Sequence, residues 1–368
     1  MFHIPVPDVL LTQRCQFKCD YCFEKKSNRD IDPEKFEEFM KEACFTGFFP
    51  FGGEPLLRID LLTKILDMSD EYQKKLLTKN LITNGVLIPK YVDILKKYNI
   101  HVQISIDGPR HVHNMNRKYP DGRGTFDDVL KGISACIKHK IPWSIHSVCN
   151  KETLPYFSES MKFYVRVTKL QGKQTAINSM DKNTIQIIFE EDYTDKDVDI
   201  LIEEFYKIAD WMMNDKSFTQ QERYMLLNNF TLRKGAVCGA GTGLKVVDSD
   251  FNVYPCHRIA TLEGRDEQLL GNIYKPKEFK NYKVYNSYNN LKRVQFLYSA
   301  VTNLAGGFNN SWFMWCPATN QETSDSIYYQ NAKYNVMFTE IGRAVKDIKR
   351  IYKIKDGNPE QRNNCGRH

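Results

Sequence analysis

The chain has 368 residues, a formal net charge of +7, 26% charged and 12% aromatic side chains. That length accommodates two domains and a sizeable core, and the composition is that of a globular protein. Lysines and acids are interspersed, with no compact basic–aromatic stripe, and no run approaches the roughly twenty apolar residues of a membrane span, so neither nucleic acid nor membrane is an expected partner.

The ten cysteines are clustered early and scattered late, unlike a secreted disulfide framework. Met1-Phe2-His3-Ile4-Pro5-Val6 has no basic n-region, so no signal peptide is expected.

In chain order, Val9-Leu10-Leu11 is a short apolar strand leading into a loop with three cysteines. Asp32-Pro33 reads as N-cap and first residue of a helix carrying Phe36, Phe39, Met40 and Ala43. Phe48 to Phe51 is a buried strand ending in Gly52-Gly53, and Leu61, Leu62, Ile65 and Leu66 mark the next helix. Leu81-Ile82 is a strand ending in Thr83-Asn84-Gly85, and Pro89 opens a helix with Val92, Leu95 and Tyr98 on one face. Val102, Ile104 and Ile106 alternate as a strand ending at Asp107-Gly108-Pro109. Val129, Leu130, Ile133 and Ile137 form a further helix, and Trp143 to Val148 the next strand. Repeated β-then-α order predicts parallel strands with helices outside and a site at the strands' carboxyl ends, where the motifs fall.

From Tyr164 to Ile188 the pattern is irregular, with one or two strands; Asp195 to Met213 is helical, with Val198, Leu201, Ile202, Phe205 and Ile208 as a core stripe. Val246-Val247-Asp248 and Val253-Tyr254 read as two short strands around Asp250-Phe251-Asn252. The predicted organisation is 1–190, 191–234 as a helical connection, 235–335 as a second domain, and 336–368 as a C-terminal helix and polar tail.

The early cysteines, Cys15, Cys19 and Cys22, form a C-x3-C-x2-C run with Tyr21 just before the last. Three thiolates leave one iron of a [4Fe–4S] cube without a protein ligand and free to chelate a small molecule, whereas electron-transfer clusters use four. Zinc, which favours paired Cys/His spacings, fits this run poorly. The run resembles the cluster motif of the radical S-adenosylmethionine (SAM) superfamily. The resemblance implies an α/β fold, a partial (β/α)6 TIM-like barrel, and a 5′-deoxyadenosyl radical made from SAM at the cluster. A cluster with an open iron is short-lived in oxidising surroundings, so cytoplasmic placement is expected.

Gly52-Gly53-Glu54-Pro55 resembles the superfamily's SAM-amine motif, which implies Gly52, Gly53, Pro55 and the Glu54 carboxylate at the SAM ammonium. Ser105-Ile106-Asp107-Gly108-Pro109 resembles the strand-four segment of the peptide-modifying subgroup, implying Ser105 and Asp107 near SAM. His113-Asn114-Met115-Asn116-Arg117, followed by Gly122, Gly124, Thr125 and Phe126, resembles the subgroup's His-Asp-x-x-Arg and Gly-x-Gly-(Ser/Thr)-Phe, with Asn114 in place of Asp. Arg117 is then a fork for the SAM carboxylate. Asn84 and Asn150 end neighbouring strands, either at the SAM ribose or as turn residues, and Tyr21 belongs to the same set.

Cys238-Gly239-Ala240-Gly241, Cys256-His257-Arg258, Gly271-Asn272-Ile273 and Cys316-Pro317 resemble the auxiliary-cluster extension called SPASM, or its shorter relative, twitch. After residue 237 there are four cysteines, too few for two extra clusters. The expectation is one auxiliary iron–sulfur cluster on Cys238, Cys256 and Cys316, its fourth ligand either Cys365 or an iron left open to substrate. Buried free cysteines are the alternative. Cys44, Cys136 and Cys149 sit in helix or strand patterns and read as core, and His257 as a ligand or a capping residue.

The resemblance implies an enzyme acting on a peptide or protein side chain, with a small-molecule radical SAM enzyme and a non-catalytic iron–sulfur regulator as alternatives. An electron donor such as flavodoxin or ferredoxin is an expected partner. The chain begins about fourteen residues before the cluster. Recognition of a leader peptide is therefore expected to need a separate binding protein or the catalytic domain itself.

Overall fold

The computed structural model describes residues 2–3, 7–44, 47–72, 78–169, 185–189, 193–219, 245–261, 265–272, 274–275, 343–344 and 346–352. The strands are β1 (Phe2–His3), β2 (Pro7–Thr12), β3 (Ala43–Cys44), β4 (Gly47–Gly52), β5 (Thr78–Thr83), β6 (His101–Ser105), β7 (Trp143–Cys149), β8 (Ile185–Phe189), β9 (Lys245–Val247), β10 (Asn252–Tyr254) and β11 (Gly271–Asn272). The helices are α1 (Pro33–Glu42), α2 (Ile59–Tyr72), α3 (Val92–Lys97), α4 (Arg110–Asn116), α5 (Phe126–His139), α6 (Phe157–Lys169) and α7 (Asp195–Asn214).

Among the described residues, β2, β4, β5, β6, β7 and β8 lie side by side in chain order, each parallel to the next. These are the six parallel strands of the expected β/α units. Strands buried by helices read as apolar runs, and Val9, Leu11, Val102, Ile104 and Ile145 are fully buried. On β6 the alternate residues His101 and Gln103 are half-buried, so the sheet's other face carries polar side chains.

The helix signals act as read. The Asp32 carboxylate accepts from the Glu34 and Lys35 amides at 2.9 and 3.2 Å and caps α1. Helix α7 opens on a reciprocal capping box between Thr194 and Asp197, and its stripe packs against α6. Cys136 and Cys149 are buried core residues.

Two segments depart from the sequence reading. Residues 157–169, read in part as irregular, form α6, whose buried Phe157, Met161, Tyr164, Val165 and Thr168 recur at helical spacing. Residues 110–116, for which the sequence pattern assigned no element, form α4.

Strands β9 and β10 are the two short strands expected near residue 250, closed by the Asp248 carboxylate accepting from the Asp250 and Asn252 amides. They do not stand apart from the first half. Pro7, Asp8 and Val9 of β2 pair in parallel with Lys245, Val246 and Val247 of β9, so one nine-stranded sheet runs through the described residues.

Candidate active site

The loop between β2 and α1 carries Cys15, Cys19 and Cys22. It is clamped at both ends, where the Gln13 amide donates to the Arg29 carbonyl and the Ile31 amide to Leu11, each at 2.9 Å. Its middle is pinned by the Lys18 and Asp20 amides donating to the carbonyls of Lys118 and Asn116 at 2.7 and 3.0 Å. Buried Phe17 meets Tyr119 edge-on at 5.1 Å.

Gly52 and Gly53 run against the start of this loop, where the Gly53 and Glu54 amides donate to the Thr12 and Arg14 carbonyls at 2.9 and 2.7 Å. A Cβ on either glycine would collide with one of those carbonyl oxygens, and Gly52 has a φ of 128°. The close approach that demands glycine is therefore to the cysteine loop's own backbone.

Cys15 and Cys19 are half-buried and Cys22 is exposed. Burial pushes the Cys15 thiol up to about 12 and also raises Cys19, where the Arg117 charge pulls the other way. The Phe17 amide donates to the Cys15 sulfur at 3.4 Å. A zinc ion draws its ligands to within about 2.3 Å of one centre, whereas the thiolates of an iron–sulfur cluster each meet a separate iron. This all-thiol loop fits the cluster.

Around the loop lie the strand ends. Glu54 is fully buried, and its carboxylate accepts from the Leu56 amide at 3.1 Å, the Thr83 hydroxyl at 2.8 Å and the Asn84 amide at 2.7 Å. Burial raises this carboxyl to about 7 against the pull of those three donors. Pro55 opens the short helical turn Pro55–Arg58 that Glu54 caps. The Asn84 amide oxygen accepts from Val86 and from the Gln16 side chain at 3.2 and 3.4 Å. Asn84 Nδ2 and Gln16 Oε1 are buried with no hydrogen-bond partner among the described residues, an orphan donor and acceptor that fit a polar ligand such as SAM.

Arg117 is placed against Asp107, with Nε and Nη2 donating to the two carboxylate oxygens at 2.8 and 3.2 Å. The Tyr21 hydroxyl donates to the same carboxylate, the Val148 amide does so at 3.0 Å, and the Tyr21 ring lies 5.3 Å from the guanidinium. Burial works to raise Asp107, but the Arg117 charge and these donors outweigh it and hold the group below its ordinary value. Arg117 thus has two nitrogens committed, with Nη1 making no hydrogen bond among the described residues.

His113 accepts at Nδ1 from the Asp107 amide at 3.3 Å and meets the Thr125 hydroxyl at Nε2 at 2.9 Å. Thr125 donates to the Arg117 carbonyl at 3.0 Å, so the imidazole donates to Thr125 and is the neutral Nε2–H tautomer. Burial drives its pKa down to about 3. Asn114 accepts from the Phe126 amide at 3.1 Å and caps α5, a task for which a neutral amide serves as well as a carboxylate. Asn150 is held by Asn116 and Thr153 as a turn residue.

Ser105 ends β6 opposite His146 of β7. The His146 Nδ1 is buried without a partner among the described residues, and burial lowers its pKa to about 4. Sequence reading passed over His146; a histidine inside an apolar strand was the available signal.

Of the second cysteine set, Cys256 is described and buried, its sulfur accepting from the Ile259 amide at 3.5 Å. Cys238, Cys316 and Cys365 lie outside the described residues. His257 packs between Phe23 and Phe51, with ring centroids at 5.5 and 5.4 Å, and its Nδ1 lies 3.6 Å from the Asp8 carboxylate. The segment around Cys256 therefore borders the first cysteine loop. Both Glu24 carboxylate oxygens are buried there without a hydrogen-bond partner among the described residues, and burial raises the group to about 7 against the opposing pull of His257. Glu24 stands two residues after Cys22, and no motif marks it.

Residues 9–164 match the Radical SAM superfamily. The chain is 32% identical over 167 residues to the uncharacterized protein MJ0907 of Methanocaldococcus jannaschii, a match covering 42% of this chain and 56% of that one. It is 29% identical over 292 residues to a cysteine-type anaerobic sulfatase-maturating enzyme of Clostridium perfringens, covering 70% and 74%. Its fold is that of native anSMEcpe solved with bound AdoMet and Cp18Cys peptide, with a TM-score of 0.66 and 22% identity over 94% of this chain and 99% of that one. The superfamily implies a [4Fe–4S] cluster and SAM, the cofactors that the three-thiol loop and the orphan amides accommodate. Residues 9–164 form a radical SAM domain, and the likeness to a sulfatase-maturating enzyme over 292 residues marks the chain as an enzyme.

Proposed function

We propose that the chain reductively cleaves SAM and abstracts hydrogen from a peptide or protein side chain, a maturase reaction. The observation that carries this reading is the meeting of the Cys15, Cys19 and Cys22 loop with Glu54 and Asn84 at strand ends and, through Tyr21, with Arg117 after α4. A cluster bound at the three thiolates supplies the electron that turns SAM into methionine and the 5′-deoxyadenosyl radical.

The chain's residues then divide the positioning. Glu54 takes the SAM ammonium on the carboxylate already ordered by Thr83 and Asn84. Arg117 Nη1 takes the SAM carboxylate while Asp107 and Tyr21 fix the guanidinium plane. Asn84 Nδ2 and the Ser105 hydroxyl take the ribose side, and Gly52, Gly53 and Pro55 hold the Glu54 backbone against the loop. Cys256, with Cys238 and Cys316, would hold one auxiliary iron–sulfur cluster, its fourth ligand Cys365 or an iron left open to substrate.

A peptide substrate is supported by the sulfatase-maturating relative and by the peptide bound in the anSMEcpe structure. A small-molecule substrate is the second reading, favoured by the four cysteines after residue 237. The reading places the enzyme in the cytoplasm, served by a low-potential electron donor and, for leader recognition, by a separate protein or its own catalytic domain. The test is anaerobic: reconstitute with iron and sulfide, add SAM and dithionite, and quantify 5′-deoxyadenosine. The wild type should form it and the Cys15/Cys19/Cys22 triple-alanine protein should not; equal amounts from both would overturn the reading.

A further inference from the structure

Thr125 stands at the N-cap of α5, where a threonine hydroxyl ordinarily accepts from the first free amides of its helix. Here it makes no such bond, and the Asn114 side-chain oxygen takes the Phe126 amide instead. The Thr125 hydroxyl, fully buried, is turned away from its own helix. It donates to the Arg117 carbonyl at 3.0 Å and accepts from His113 Nε2 at 2.9 Å. His113, also fully buried, accepts at Nδ1 from the Asp107 amide at 3.3 Å. The Asp107 carboxylate in turn holds Arg117 Nε and Nη2. The contacts close a ring: Asp107 to His113 to Thr125 to Arg117 and back. His113 and Thr125 grip the main chain of the ion pair, while its two side chains grip each other. Burial keeps the imidazole neutral, so the direction of each bond in the ring is fixed.

The gripped segment also reaches the cysteine loop. On either side of the Arg117 carbonyl, those of Asn116 and Lys118 accept from the Asp20 and Lys18 amides. Consecutive carbonyls therefore alternate between the cysteine loop and Thr125, with the Arg117 side chain leaving from the middle of the run. We propose, resting on the radical SAM reading above, that His113 and Thr125 are positioning residues for the SAM carboxylate, fixing the Arg117 main chain against the cysteine loop so that Nη1 is presented at one place. Both nitrogens of His113 and the hydroxyl of Thr125 are engaged within the ring, so the two residues act through Arg117 rather than by touching the ligand. A small displacement of a fork of this kind is enough to weaken what it holds.

The test compares SAM with decarboxylated SAM, which keeps the adenosine, the sulfonium and the amine and lacks the carboxylate. Binding is measured by equilibrium dialysis under argon on the reconstituted full chain, its cluster oxidised so that no turnover occurs. The wild type should bind SAM about tenfold or more tighter, as hydrogen bonds to a charged group warrant. Thr125→Val, which keeps the shape and drops the hydroxyl, should cut that preference to about twofold or less. A merely structural role would weaken both ligands alike and leave the ratio where it was. Thr125→Ser should restore the ratio. His113→Asn keeps an acceptor for the Asp107 amide and loses the contact to Thr125; it should lower the ratio too, and it decides the matter if Thr125→Val does not load iron. The wild-type ratio in Thr125→Val and His113→Asn, or the same loss in Thr125→Ser as in Thr125→Val, overturns the proposal. Equal binding of the two compounds by the wild type also overturns it, since Arg117 then faces another group. A wild type that binds neither compound and forms no 5′-deoxyadenosine strikes the radical SAM reading itself, and the proposal with it.

Discussion

Arg117 and Asp107 meet side-on, two guanidinium nitrogens to two carboxylate oxygens, with side chains 8% and 0% exposed. Breaking a buried pair from one side strands the other charge, at a cost of about 3–5 kcal/mol. Asp107→Ala should therefore lower the urea midpoint sharply, and the Asp107→Ala/Arg117→Met double variant should recover part of the loss. A double variant no more stable than Asp107→Ala alone would show that the stranded charge is not the cause.

Gly53→Ala tests how the loop is held. The added methyl must displace the Arg14 carbonyl, one residue from Cys15. Overpacking of this kind costs about 1–3 kcal/mol. Reconstituted iron per chain should drop by at least half, and full loading would show that the loop tolerates the shift.

Acid should destabilise the chain through two histidines. His113 and His146 have folded pKa values lowered to about 3 and about 4. The unfolded chain binds their protons below about 6.5, so stability is intact above that pH and is lost as pH falls towards 4. Thermal melts from pH 7 to 4.5 should show a falling Tm, with a shallower slope in His146→Gln.

Glu54 behaves oppositely. Its folded pKa is raised to about 7, so its contribution to folding is greatest below about 4.5 and is lost as pH rises through 7. If the SAM ammonium faces this carboxylate, it favours the ionised form, and binding expels a proton. SAM affinity of the reconstituted enzyme should then rise by roughly tenfold between pH 6 and 8, following the one-unit-per-decade linkage of a single ionisation. A flat profile would place the ammonium elsewhere.

Cys256→Ala should lower iron content while leaving SAM cleavage uncoupled from substrate. Full product formation by this variant would remove any essential auxiliary cluster on that residue.

The parallel core was legible because its strands are short apolar runs ending in Gly, Asn-Gly or Asp-Gly-Pro, signals that act within a few residues. Helix α6 was missed because Ser158, Ser160, Val165, Val167 and Thr168 dilute helix propensity, although Phe157, Met161 and Tyr164 still mark the buried stripe. The Cys15, Cys19 and Cys22 spacing gave the chemistry directly. What spacing does not give is partner choice across the fold: that Asp107 would engage Arg117, that His257 would lie between Phe23 and Phe51, or that the Glu24 carboxylate would be buried with no hydrogen bond among the described residues. These are outcomes of long-range packing, set once the strands have stacked.

The pairing of β9 with β2 has a consequence for solubility. With β4 on one side and β9 on the other, β2 has no free edge. Without residues 245–247, the carbonyls of Pro7 to Val9 and the amides of Asp8 and Val9 would lie bare to any passing strand, beginning with those of another copy. The hairpin that brings Cys256 to the first cysteine loop is also a guard strand. A protein shortened before it should be sticky as well as short of three cysteines, and its inactivity would say little about what Cys256 does.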